Sequence, residues 1–106
     1  MAKTKKESRI LDEVREAAKD LYDAGAIDVT TMREFDALCL PQVPHYTSSD
    51  IKKIRRANRA SQSVFAAYLN VSKATVTAWE QGLKEPSSMG LKLLNLVDRK
   101  GIGTLA

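Results

Sequence analysis

An all-α chain is predicted, and three observations predict it. Near the N-terminus Ile10, Leu11, Val14, Ala17, Ala18, Leu21 and Tyr22 stand at offsets 0, 1, 4, 7, 8, 11 and 12, one stripe of an amphipathic helix. Further on, Thr47, Ser61, Ser72 and Ser87 each precede a stretch with inward-facing apolar positions, as helix-capping hydroxyls do. Strand patterning is nearly absent: the β-branched pair between Ile27 and Thr30 is short and does not alternate, so a strand there is the weaker alternative.

Taken in order, the first helix covers about 7–24, with Asp12, Glu13, Glu16, Lys19, Asp20 and Asp23 beside or opposite the stripe and Gly25 as its stop. Thr31 followed by Glu34 resembles a capping box, and Met32, Phe35, Leu38 and Cys39 share a side, which predicts a short helix over 31–38. Two prolines, Pro41 and Pro44, then extend the chain into a linker, and the domain boundary is placed there. Thr47 with Asp50 forms another capping box, and Ile51, Ile54, Arg55 and Ala57 carry that helix to about 58. Ser61 caps a helix over 62–69, which turns Phe65, Ala66 and Leu69 inward. Asn70 tolerates the left-handed conformation that ends a helix. Ser72 at once caps the next helix, over 73–81, closed by Gly82. Two short helices joined by a turn of about three residues make a helix-turn-helix layout. Pro86 breaks the chain, Ser87 caps a last helix that faces Leu91, Leu94 and Val97 inward with Leu93 flanking, and Gly101 ends it. The expected core is Phe65, Ala66, Leu69, Val71, Val76, Leu91 and Leu94.

The chain of 106 residues is one domain's worth, or one small domain with a partly independent arm. Its net charge of +4 is unevenly spread: residues 1–49 carry seven basic and nine acidic side chains, residues 50–106 ten basic and four acidic. The positive field that suits a polyanion therefore belongs to the C-terminal half. The basic start has no apolar stretch of a signal peptide, and no run approaches a membrane span, so a cytoplasmic protein without membrane contact is expected. Cys39 is the single cysteine and His45 the single histidine, which leaves neither an internal disulfide nor a four-ligand metal site. No catalytic residue is predicted: no glycine loop cradles phosphate, the carboxylates are scattered, and a Cys39–His45 pair is improbable because Cys39 falls on an apolar face. No cofactor is expected.

The run from Ser61 through Gln62, Phe65, Ala66, Leu69, Asn70, Ser72, Lys73, Thr75, Val76, Trp79, Glu80 and Gly82, then Pro86-Ser87, resembles the Cro/CI-like (Xre) helix-turn-helix family. The resemblance covers about 49–100 and departs from the family in having Asn70 where a turn glycine is usual. It implies four to five helices in a DNA-binding domain over 47–106, an N-terminal helical arm over 1–46, and an Arg55–Glu80 pair. Helical geometry by itself places Lys73, Ala74, Thr77, Ala78 and Gln81 on a small, polar or basic face opposite Val76 and Trp79. Such a face suits a major groove, and these five residues are the candidate base readers of double-stranded operator DNA. Gln62, Ser63, Ser72 and Thr75 at two helix N-termini, with Arg59, are the candidate phosphate contacts. Lys52 and Lys53 read better as a solvated helix face.

The acidic arm points to protein rather than DNA. Helix, Met-Arg-Glu-Phe-Asp segment, linker and Xre domain together look like antitoxins of the HigA-like type. That resemblance implies a partner, a small basic RelE/HigB-like ribonuclease toxin, and repression of the shared promoter, with Ile10, Leu11, Val14, Ala18 and Leu21 as the partner-binding stripe. The same stripe equally suits packing on its own chain or a homodimer. A homodimer is expected in any case, since one short recognition helix covers few base pairs; Leu93, Ile102 and Leu105 are candidates for its interface. A free-standing Xre regulator of phage or metabolic type and a protein-only adaptor are the other readings.

Overall fold

A computed structural model describes residues 4–106; the first three residues, part of the basic start, lie outside them. All regular structure among the described residues is helical. The chain forms two compact units, one ending at Gln42 and one spanning Val43–Ala106.

The first unit is a helical hairpin. Helix α1, Lys5–Asp23, begins at a capping box in which the Thr4 hydroxyl accepts from the Glu7 amide and the Glu7 carboxylate accepts from the Thr4 amide. It ends in a Schellman turn, where the Gly25 and Ala26 amides donate to the carbonyls of Tyr22 and Leu21. Helix α2, Val29–Leu38, starts two residues before the expected Thr31. Asp28, not Thr31, is its cap, accepting from the Thr31 amide at 2.8 Å. A carboxylate at this position also meets the positive end of the helix dipole, and the bond holds Asp28 below the ordinary aspartate pKa. The residues of the alternative strand are thus the entry to α2. The two helices meet along Ala18 and Met32, both buried, with Arg15 Nε donating to Asp36 at 2.8 Å and the Cys39 thiol to the Leu11 carbonyl at 3.2 Å.

The second unit holds helices α3 (Ser48–Ala57), α4 (Gln62–Leu69), α5 (Lys73–Glu80) and α6 (Ser88–Lys100), closed by a 3-10 turn at Ile102–Leu105. Local chemistry sets every N-terminus: Thr47, Ser61, Ser72 and Ser87 each accept from the amide three residues on. Asn70 has φ 57 and ψ 43, the left-handed cap anticipated for it. Gly82, at φ +73, closes α5 in a Schellman turn, with its own amide and that of Leu83 donating to Trp79 and Ala78.

Phe65, Ile51, Leu94, Val76 and Val97 are the largest fully buried side chains, with Ile54, Leu69, Ala66, Trp79, Tyr46 and Ala60 around them. Two members of the expected core are corrected: Val71 and Leu91 are only partly buried and pack against its rim. The first lies in the turn between α4 and α5 and the second in the first turn of α6, at the ends of elements rather than in their middles. Gly90 lets α6 approach closely, since a Cβ there would meet Pro86 Cβ at 3.3 Å and Trp79 Cζ2 at 3.7 Å. Tyr46 belongs to this core, ahead of the expected boundary at 46/47. Its hydroxyl donates to Asp98 at 3.0 Å and accepts from the buried Asn95 amide at 3.0 Å, and burial raises its pKa.

Candidate nucleic-acid interface

Three residues, Asn70, Val71 and Ser72, separate α4 from α5, and the two helices pack directly on each other. Ala66 faces that crossing with 3% of its surface exposed, leaving little space for a larger side chain. Val76 and Trp79 are buried beneath α5, while Lys73, Ala74 and Gln81 are exposed and Thr77 and Ala78 half-buried. All five candidate readers therefore share one helix side, although α5 ends a residue early and Gln81 is its C-cap. Small side chains at 74, 77 and 78 let the helix backbone come close to whatever it faces.

The candidate phosphate contacts divide into two sets. Ser63, Ser72 and Arg59 are exposed, whereas Gln62 and Thr75 are half-buried. The Ser72 hydroxyl already caps the Thr75 amide at 3.1 Å, and the two hydroxyls bond each other at 2.8 Å. The Thr75 amide is therefore not an open donor, as its place in the helix N-terminus had suggested. First-turn amides that a helix itself never satisfies remain at Gln62 and Ser63 on α4 and at Lys73 and Ala74 on α5.

Gln62 turns out to be a structural link as well. Its Oε1 accepts from the Thr77 hydroxyl at 3.1 Å and its Nε2 donates to Glu80 Oε1 at 3.4 Å. Glu80 is gripped in turn by Arg55, whose Nε and Nη2 donate to its two oxygens at 2.7 and 2.9 Å, while Nη1 donates to the Ala60 carbonyl at 3.0 Å. The Glu80 side chain is only 1% exposed, and the guanidinium hydrogen bonds hold its carboxyl below the ordinary glutamate pKa against the opposing effect of burial. Arg55 is therefore not available to phosphate. The Arg55–Glu80 pairing was legible from the family pattern, but the extension through Gln62 to Thr77 was not, because it depends on side-chain rotamers across two helices.

One feature of this face has no sequence signal. Arg59 adopts φ 54, the left-handed region, in the Schellman turn that ends α3, where the Arg59 and Ala60 amides donate to Arg56 and Arg55. Glycine or asparagine is the usual occupant, and an arginine there is strained. The turn sets Ala60 into the core and leaves Arg59 exposed three residues before Gln62.

Two helices at this spacing, one presenting a small polar face over a buried apolar one, form a helix-turn-helix module of the Cro/CI-like fold. Residues 51–94 match the helix-turn-helix family model. No curated protein matches the chain. Among the described residues no helix is long and apolar enough to cross a membrane.

On the first unit, the expected partner stripe is divided. With Ile10 set at about 0° on a helical wheel, Leu21 falls near 20° and Val14 near 40°, while Ala18, Leu11 and Arg15 fall near 80°, 100° and 140°. The second group faces α2: Ala18 is 2% exposed and Leu11 half-buried. Ala18 is thereby removed from any partner-facing surface, because the hairpin itself covers it. Ile10 and Leu21, each 50% exposed, and Val14 remain open. In the second unit Leu93, Ile102 and Leu105 are partly buried against their own core, so sealing the domain's end accounts for part of their apolar surface.

Proposed function

We propose that the chain is a sequence-specific repressor that acts in the cytoplasm as the antitoxin of a RelE/HigB-like ribonuclease toxin and represses its own operon as a homodimer. DNA reading falls to Lys73, Ala74, Thr77, Ala78 and Gln81 on α5. Backbone positioning falls to Gln62, Ser63, Ser72 and Arg59, with Thr75 holding the Ser72 hydroxyl in place. The observation that carries the toxin-binding half is the open edge of α1, where Ile10, Val14 and Leu21 are exposed on a unit rich in acidic side chains. An apolar edge in an acidic setting suits a basic ribonuclease, with the carboxylates speeding encounter and the apolar side chains supplying affinity.

The hairpin packing dictates the experiment. Deleting α1 would strip α2 of its partner, so the open edge is changed in place as Ile10→Asp, Val14→Asp and Leu21→Asp in the full chain. Co-expression with the small basic protein encoded beside it should then lose rescue of growth, while affinity for the upstream DNA stays as in the unaltered chain. Intact rescue removes the edge from the toxin site. Loss of DNA affinity in the triple variant assigns the edge to a homodimer instead, and the absence of any adjacent ribonuclease gene leaves the free-standing regulator.

A further inference from the structure

Thr77 stands midway along α5 with its hydroxyl between two carbonyl oxygens, 3.1 Å from Gln62 Oε1 and 3.0 Å from Lys73 O. A hydroxyl carries one proton and two lone pairs. Both neighbours accept only, so the proton is committed to one or the other and the oxygen keeps lone pairs alone for a third group. What makes the first neighbour a carbonyl is the orientation of the Gln62 amide. Its Nε2 lies 3.4 Å from Glu80 Oε1, and turning the amide over would set two oxygens against each other beside a carboxylate that Arg55 holds with two hydrogen bonds. Arg55 fixes Glu80, Glu80 orients Gln62, and Gln62 faces its oxygen to Thr77.

We propose that this relay makes Thr77 an acceptor-only reader of the major groove, selective for a base that carries an exocyclic amino group, adenine or cytosine. The inference rests on the proposed entry of α5 into a major groove. There adenine N6 and cytosine N4 are donors, whereas guanine and thymine offer O6, N7 and O4 as acceptors. A threonine hydroxyl that rotates freely serves either kind of edge. Here the donor option is already used inside the protein, and lone pairs set against guanine or thymine would meet further lone pairs. By the same count Gln62 retains one N–H that no group among the described residues accepts, which suits a phosphate oxygen and carries no base preference.

The test uses the full chain and a randomised duplex library, followed by binding measurements on the enriched site with Thr77→Val, which keeps the shape and loses the hydroxyl, and Thr77→Ser, which keeps the hydroxyl. The unaltered chain should enrich adenine or cytosine at one position of each half-site. Thr77→Val should lose that preference alone, by about tenfold, and Thr77→Ser should retain it. Deleting the amino group from the DNA, with purine in place of adenine or 2-pyrimidinone in place of cytosine, should weaken the unaltered chain by a similar factor and leave Thr77→Val unaffected. A purely structural role for Thr77 would lower affinity for all sequences and give no such coupling to one amino group. The proposal is overturned if the coupled base is guanine or thymine, if removing a thymine methyl reproduces the coupling, or if Thr77→Val leaves every position unchanged. A sharp motif indifferent to residue 77 overturns this inference only, whereas a chain that enriches no sequence overturns the DNA-reading proposal and this one with it.

Discussion

Replacing Arg55 by methionine should bring the second unit close to unfolding. The guanidinium makes three hydrogen bonds, two to Glu80 and one to the Ala60 carbonyl, and its removal leaves a carboxylate with 1% exposure and no ion-pair partner. Breaking a buried pair from one side costs about 3–5 kcal/mol. A unit that spans Val43–Ala106 has a total stability of only about 3–10 kcal/mol at the usual 0.05–0.15 per residue. Trp79 is the single tryptophan and is buried in this unit, so its fluorescence in urea follows this core specifically. The pH dependence supplies a second readout with an opposite sign. In the unaltered chain Glu80 has a lowered pKa, so its stabilisation is complete above the unfolded value of about 4.3 and is lost as pH falls through the lower folded value. In Arg55→Met burial is opposed only by the Gln62 hydrogen bond and the more distant charge of Lys52, the lesser of the opposing effects, and the folded pKa should rise. The variant should therefore be least stable near neutrality and gain stability as pH falls through that raised value. Changing Glu80 to leucine as well should recover part of the loss at neutral pH. A loss under about 1 kcal/mol at pH 7, or an acid response parallel to that of the unaltered chain, would refute the assignment of Arg55–Glu80 as a buried pair.

Three further outcomes follow from the same packing. Arg59→Gly should relieve a left-handed arginine and raise stability in urea by about 1 kcal/mol, while weakening binding to cognate and random DNA alike and flattening the salt dependence; unchanged DNA affinity would leave the strain without a functional reason. Leu69→Ala removes a side chain 3% exposed in the core and should cost about 2–5 kcal/mol by the same Trp79 readout. Tyr46→Phe deprives the buried Asn95 amide of its acceptor and should cost about 1–3 kcal/mol, with a smaller effect indicating that water replaces the hydroxyl.

What the sequence made legible was chemistry confined to neighbours. The caps at Thr47, Ser61, Ser72 and Ser87, the left-handed Asn70 and the buried side of α5 each depend on residues within a turn of one another, and the structure places them as read. The start of α2 was misjudged because two adjacent capping residues compete and the carboxylate of Asp28 wins over the hydroxyl of Thr31. The stripe on α1 was legible as apolar, but its width hid that α2 covers only the Ala18 and Leu11 side. Arg59 carries no local signal, since nothing in arginine favours a positive φ; the turn that buries Ala60 imposes it. The Tyr46–Asn95–Asp98 cluster joins residues about fifty positions apart, and the link from Glu80 through Gln62 to Thr77 spans two helices. Sequence periodicity reports neither.

The central claim, that the exposed face of α5 reads DNA sequence, is tested most directly by titrating the full chain and its Lys73→Ala variant against DNA from upstream of its own gene and against random duplex of equal length, at matched salt. The account predicts that Lys73→Ala weakens the upstream site by about 1–3 kcal/mol more than the random duplex, with the Trp79 emission of a folded core. An upstream-to-random affinity ratio that the substitution leaves unchanged would contradict it.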